Sequence, residues 1–369
     1  MPTTTIGISL AAAVGALVIN ILLTPVILFI SHKFNWYDAF DSRKVHTAEV
    51  PRLGGVGMFL SFVLSLLLLS LLHPEFSFFT FQIGVLLAGF LMIHLLGLID
   101  DFRNIPAIWK LLGQILAGVM MVLGGALISG FEVPFLGIIL PFGLLAAPLT
   151  VFWLISVSNA INLVDGIDGL AGGISLLLAI AVALVQALIG SRTGVIIAAS
   201  LAGAIIGFLV YNRPRARIFM GDSGSLFLGF ALGGLLFMDH PGEVTKLHMS
   251  FFLPGITLLL LPIMDMLASI LRRIRQGRPI YSPDREHLHH KLLDFGFSVP
   301  QILGLVLSLA ALSAAAVVFW TYVRFGTTGI PDWTADLAMI AIWALISGFF
   351  LIVHYANRNR KQRERTDTP

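Results

Sequence analysis

Long apolar runs alternate with short polar loops along the whole chain, and the runs share a common length. A helix needs about 20 mostly apolar residues to cross the hydrocarbon core of a bilayer. Measured that way, the pattern predicts eleven spanning helices, with N-terminal members near Ile6–Ser31, Leu53–Leu72, Phe81–Ile99, Leu111–Ser129 and Leu140–Ala160. The others fall near Gly172–Ile189, Gly194–Tyr211, Ser223–Met238, Phe251–Ile274, Val299–Val323 and Thr334–Tyr355. No segment repeats at a fixed period, so neither a solenoid nor an evidently duplicated transporter is predicted.

Composition agrees with the pattern. Of 369 residues, 57% are hydrophobic and 12% charged, and the mean hydropathy is +0.93. A soluble domain carries about twice that charged fraction, so the bilayer is the solvent to reason with. Cysteine is absent, which removes disulfides and thiolate-bound metals. Met1–Thr5 has no basic flank and the first apolar run is too long for a cleaved signal, so it is expected to stay as an anchor.

Charge orients the bundle. Of the 23 Lys and Arg residues, only Arg192, Lys246 and Arg324 fall in one set of alternate loops; the other set holds the rest, from Lys33, Arg43, Lys44, Arg52, Arg103 and Lys110 to the Arg272–Lys291 cluster. Basic loops stay in the cytoplasm. The expectation is an all-α integral membrane protein with its N-terminus outside and its C-terminus cytoplasmic. Residues 1–356 form the membrane domain and residues 357–369 a basic tail. That tail reads as a solvated anchor that favours anionic lipid over nucleic acid.

The candidate chemistry sits at the basic side. Asp100-Asp101 closes the third predicted helix, where two carboxylates oppose the helix dipole and repel each other. Asn159, Asn162, Asp165 and Asp168 recur at three-residue steps and would form a drifting ridge on one helical face, with Gly166 and Gly169 freeing the backbone for tight turns. Asp222, in Gly221-Asp-Ser-Gly-Ser225, reads either as an ordinary N-cap or as a metal ligand beside amides that suit phosphate. His287, His289 and His290 lie in the longest basic loop; with carboxylates abundant and cysteine absent, Mg²⁺ is the expected metal and the histidines suit phosphate better than metal. Lys44, His46 and Arg52 fit orientation charge as well as a ligand role. Asp265 lies inside an apolar helix and is a site candidate by default, whereas His94 reads as a packed core residue.

Taken together, Pro51-Arg-Leu-Gly-Gly55, Asp100-Asp101, Asn162-Leu-Val-Asp-Gly-Ile-Asp-Gly-Leu170, Phe219-Met-Gly-Asp-Ser-Gly-Ser225 and Asp284-Arg-Glu-His-Leu-His-His290 resemble the polyprenyl-phosphate N-acetylhexosamine-1-phosphate transferases. His-Leu-His-His and the basic tail make the chain similar to the GlcNAc-1-phosphate branch rather than the muramoyl-pentapeptide branch. The resemblance implies transfer of GlcNAc-1-phosphate from UDP-GlcNAc to undecaprenyl or another polyprenyl phosphate at the cytoplasmic face of a bacterial inner membrane. The same chemistry on another UDP-N-acetylhexosamine or on UDP-MurNAc-pentapeptide, and a metal-coupled transporter, are the alternatives. It further implies Mg²⁺, or Mn²⁺, held by Asp222 with Asp101. Asp100 would be a base or positioning residue, supported by Asp101. Asn162, Asp165 and Asp168 would bind the donor, with Phe219 stacking near the base. His287, His289 and His290 would serve the diphosphate, and Lys44 and Arg52 would supply positive charge. Membrane lipids, and a second copy of the chain as in homodimeric relatives, are the implied partners, with no nucleic acid.

Overall fold

The computed structural model describes residues 3–37, 50–73, 80–238, 250–282, 284 and 286–366, the last six through their backbone alone. Arg43, Lys44, His46, Lys246 and Arg285 lie outside the described residues. Among those described, the helices are α1 (Thr3–Lys33), α2 (Gly54–Leu72), α3 (Phe81–Arg103), α4 (Ala107–Leu123), α5 (Ala146–Val164), α6 (Leu170–Leu188) and α7 (Arg192–Asn212). They continue with α8 (Gly221–Leu235), α9 (Phe252–Leu258), α10 (Leu260–Arg275), α11 (Leu288–Asp294), α12 (Val299–Phe325) and α13 (Asp332–Thr366).

Eight of these helices are long and apolar enough to cross a membrane, and α9 with α10 supplies a ninth span bent by 77°. The straight helix expected over Phe251–Ile274 breaks at Leu259 because Pro262 has no N–H to give the Leu258 carbonyl, and its ring crowds the preceding turn. The other two predicted spans correspond to α4 and α8, of 17 and 15 residues. Both nevertheless run from the same end of the bundle to the same far end. There the Leu127 N–H donates to the Phe237 carbonyl at 3.2 Å and Ala126 bridges Met238. Helix α8 is buried from Ser223 to Leu235. A helix apolar on every side belongs at the centre of a bundle, and α3, α5, α2 and α6 surround this one.

One feature is not helical. Strands β1 (Gly130–Val133) and β2 (Ile138–Pro141) form an antiparallel hairpin at the far end, with Gly130 opposite Pro141. Most of these residues lie in the loop expected between the spans Leu111–Ser129 and Leu140–Ala160, with only Leu140 and Pro141 inside the second; Gly137, at φ +62°, and Phe135, at φ 64°, turn the chain between the strands. Arg324 fastens this corner by ion pairs to Glu132 (2.9 Å), Asp336 (3.1 Å) and Asp332 (3.3 Å). At the opposite end α13 continues without a break into the expected tail as far as Thr366. Arg360 reaches Asp294 at the end of α11, and its guanidinium lies over the Phe295 ring.

Glycine lets the central helix come close to its neighbours. A Cβ on Gly55 would overlap the Gly224 amide, and one on Gly97 would overlap the Asp222 carbonyl. Backbone at that distance cannot rotate away. Gly55→Val is therefore expected to destabilise the protein by about 1–3 kcal/mol, as overpacking does, measured as a lower thermal midpoint in detergent. An unchanged midpoint would show that α2 and α8 do not meet in this contact.

Candidate active site

Helix α8 begins with four amides that have no helical partner, and α3 supplies what they need. Asp101 accepts from the Asp222 N–H (2.7 Å) through one carboxylate oxygen and from the Ser223 N–H (3.0 Å) through the other. The carboxylate pair at the end of α3, unfavourable for that helix, thus meets the favourable pole of another. His94, two turns deeper, is buried against Phe59 with ring centroids 4.4 Å apart, and its Nδ1–H donates to the Ser223 carbonyl at 3.1 Å. Backbone pairing completes the joint. Phe219 N–H donates to Pro51, and the Gly54 and Gly55 N–H groups donate to Phe219 and Met220, all within 2.8–2.9 Å. Two of the sequence motifs are therefore one structural unit.

Asp222 projects from this fixed start. Its Oδ1 accepts from Asn162 Nδ2 (2.9 Å), and its Oδ2 accepts from Lys110 Nζ. The same ammonium donates to Asp100 Oδ2 at 2.7 Å, while Asp100 Oδ1 accepts from the Ile105 N–H at 2.7 Å. The Asn162 amide also donates to Ser225 Oγ at 2.8 Å. Two carboxylates from α3 and α8 thus converge on one cation from α4. Lys110 was read from sequence as orientation charge alone. The signal for more was its place between Trp109 and Leu111 inside an apolar run, rather than in the loop before it.

The predicted ridge from Asn159 to Asp168 is helical only through Asn162. Helix α5 ends at Val164, Asp165 is its C-cap, and Gly169 turns at φ +76°. Asp168 is buried and accepts from the Ala216 N–H at 3.0 Å, and Asn212 ties the Gly169 N–H (2.9 Å) to the Ile218 carbonyl (2.8 Å). Asp168, expected to bind substrate, latches this turn to the loop before α8. Burial raises the Asp165 carboxyl to about 7; the Asp222 charge adds to this and Arg52 opposes it.

The histidines sit on short helix α11, moored to α10. Asp265, buried, accepts from His287 Nδ1 (3.2 Å) and the Leu288 N–H (2.9 Å). One turn on, Ser269 donates to Asp284 at 2.6 Å, and Arg272 does so at the same distance. Burial alone would raise the Asp284 carboxyl, but the Ser269 hydroxyl and the Arg272 guanidinium outweigh it and hold it far below the usual range. Asp265 is thus the mooring of the histidine loop rather than a group facing the carboxylate pair. His289 is also buried, and its Nε2 presses against Gly166, where a Cβ would collide with it. Burial, followed by the neighbouring His290, lowers its imidazole to about 3. His290, partly exposed, lies beside it with ring centroids 4.3 Å apart.

The comparisons with known proteins converge on one group. Residues 83–239 match the model of glycosyl transferase family 4. Over 317 residues the chain is 36% identical to a probable undecaprenyl-phosphate N-acetylglucosaminyl 1-phosphate transferase of Bacillus subtilis, covering 84% of this chain and 86% of that protein. It is 37% identical over 303 residues to a decaprenyl-phosphate N-acetylglucosaminephosphotransferase of Mycobacterium tuberculosis, covering 75% and 74%. It is 30% identical over 342 residues to the undecaprenyl-phosphate alpha-N-acetylglucosaminyl 1-phosphate transferase of Escherichia coli, covering 89% and 87%. The chain belongs to glycosyl transferase family 4. The matched region runs from α3 through α8 and contains Asp100, Asp101, Lys110, Asn162, Asp165 and Asp222, while the histidine loop lies beyond it.

Within this glycosyl transferase the donor set suits a hard divalent cation. Asp100 and Asp222 offer oxygens from separate helices to a single positive centre, and Mg²⁺ characteristically takes one or two protein carboxylates and completes its shell with water and phosphate. Among the described residues no group of three or more His, Asp or Glu side chains is placed to hold a metal ion. Asp101, expected as a metal ligand, has both of its oxygens accepting amides of α8 and so fixes the start of the helix that carries Asp222.

The raised Asp165 carboxyl has a stability consequence with a definite sign. The folded protein holds a proton up to about 7, whereas the unfolded chain releases it near 3.8. Stability from this group is therefore greatest at low pH and declines as pH rises from the lower value to the upper. Asp165→Asn should have a thermal midpoint near that of the natural protein in buffer at or below pH 3.8, and one that exceeds it increasingly as pH rises to about 7. A gap of equal size at both pH values would contradict the assignment.

Proposed function

We propose that this family 4 transferase moves GlcNAc-1-phosphate from UDP-GlcNAc to undecaprenyl phosphate, or a polyprenyl phosphate of similar kind, and releases UMP. The observation that carries the reading is the Lys110 ammonium shared by Asp100 and Asp222 at the ends of apolar helices, in a chain whose relatives are named for this transfer. The excess of Lys and Arg supports a cytoplasmic site in a bacterial inner membrane, with eleven crossings counted from α4 and α8 reaching both ends of the bundle. A transporter would concentrate such groups near the midplane; here they lie at helix ends.

An oxygen of the lipid phosphate attacks the sugar-bearing phosphorus of the donor, and the bond from that phosphorus to the UMP oxygen breaks. The acceptor needs no strong base, because the second ionisation of a phosphate monoester lies near 6 and the dianion dominates at neutral pH. Asp100, at the membrane end of α3, positions the lipid phosphate, and Lys110 offsets charge on the reacting groups. Such transfer depends on positioning and electrostatics more than on covalent help. Asp222 with Asp100 would hold Mg²⁺, which supplies charge neutralisation to the diphosphate; Mn²⁺ suits the same oxygens. Asn162 orients Asp222, Phe219 stands ready to stack on the base, and Arg52 and His290 add positive or donor groups around the donor. Lys44 would contribute charge from the first basic loop.

Purified protein given labelled UDP-GlcNAc and undecaprenyl phosphate should release UMP and label the lipid only when Mg²⁺ is present. Lys110→Met should lower kcat by about 10²–10³, the scale of losing a pre-organised electrostatic contact. Label that accumulates inside sealed vesicles without entering lipid would overturn the reading. A phosphorylated protein formed from donor alone would overturn direct displacement.

A further inference from the structure

Lys110 and Asn162 each hold one oxygen of Asp222, from α4 and α5 respectively. The position of that carboxylate therefore depends on the spacing of two helices that the site itself does not fix. One turn deeper on α4, at helical spacing i+4 from Lys110, stands Gln114, and one turn back on α5 from Asn162 stands Asn159. Gln114 is only 3% exposed. Its Nε2 donates to Asn159 Oδ1 at 3.4 Å, and Asn159 Nδ2 donates to Gln114 Oε1 at 3.3 Å. Asn159 Nδ2 also donates to its own helix at the Ile155 carbonyl, at 2.8 Å. The Gln114 amide thus meets Asn159 through both its donor and its acceptor end.

We infer that the reciprocal Gln114–Asn159 amide pair is a positioning element for the transfer reaction, a rung between α4 and α5 that sets where Lys110 and Asn162 meet Asp222. The inference rests on the proposed roles of Lys110 and Asp222 and deepens them. A buried primary amide with both ends matched is strongly directional: any slide or rotation of α4 against α5 leaves a donor or an acceptor unsatisfied in an apolar surrounding. An apolar contact at the same place would tolerate that motion. The four residues form a rectangle, with Lys110 and Gln114 along one helix and Asn162 and Asn159 along the other. Asp222 closes the end nearest the water. Neither amide touches the reacting groups; they act through the lysine and asparagine above them.

The test compares the natural protein with Gln114→Leu, Asn159→Leu and the double variant, on UDP-GlcNAc and undecaprenyl phosphate. Gln186→Leu serves as a control, because Gln186 is likewise buried and donates to the Leu235 carbonyl at 2.7 Å, at the far end of the bundle. Gln114→Leu should lower kcat by about tenfold to a hundredfold, as a small misplacement of working groups does, with KM for the donor changed by no more than about threefold. The double variant should be no worse than the poorer single one. The control should lose thermal stability with kcat retained. Full kcat in Gln114→Leu, or a loss that only follows the fraction of folded protein, would overturn the inference. An inactive natural protein on every UDP-sugar offered would instead indict the proposed function, so the two failures are separable.

Discussion

The capping of α8 by Asp101 is the interaction on which the rest of the site depends. A helix buried on all sides must end somewhere, and its first amides need partners that an apolar bundle does not offer. Asp101 reaches them from α3, and glycines at positions 55, 97 and 224 allow the backbones close enough for it to do so. Asp222 follows directly from that cap. Its two oxygens then gather α4 through Lys110 and α5 through Asn162. Electrostatics that would destabilise each part alone, such as paired carboxylates at a helix end and a lysine between apolar residues, become mutually satisfied once the three helices meet.

Around this hub the other motifs are arranged in layers. The turn after α5 is latched by Asp168 and Asn212 to the loop preceding α8, so Asp165 cannot drift from Asp222. The histidine helix is held from behind by Asp265, with Ser269, Arg272 and Asp284 fastening the loop before it. His289 then rests on Gly166, with the partly exposed His290 beside it. A single carboxylate type serves here as cap, latch and mooring according to what surrounds it.

Most of the helices were legible in the sequence because the bilayer imposes a length that apolar runs must meet. The site was legible in outline for a related reason: Asp, Asn and Gly crowded between such runs have no cheap structural excuse. What could not be read was partnership. Asp100 and Asp101 are adjacent in the chain, yet one meets Lys110 and the other caps α8. Asp265 has its partner 22 residues away in His287. Lys110 was hidden because orientation charge explains any lysine near a basic loop, and the bend at Leu259 was hidden because a proline in an apolar run is compatible with several geometries. The hairpin escaped because strands of four residues, Gly130–Val133 and Ile138–Pro141, are too short to show a pattern in a stretch that lies largely between two predicted spans.

The central claim is that Asp100 and Asp222 form one cation-binding pair for which the Lys110 ammonium competes. Manganese binding to the purified protein without substrates, followed by the electron paramagnetic resonance of free Mn²⁺, addresses it most directly. The account predicts that Lys110→Met binds Mn²⁺ more tightly than the natural protein and that adding Asp222→Asn abolishes the gain. Equal or weaker binding in Lys110→Met, or a gain indifferent to Asp222, would contradict it.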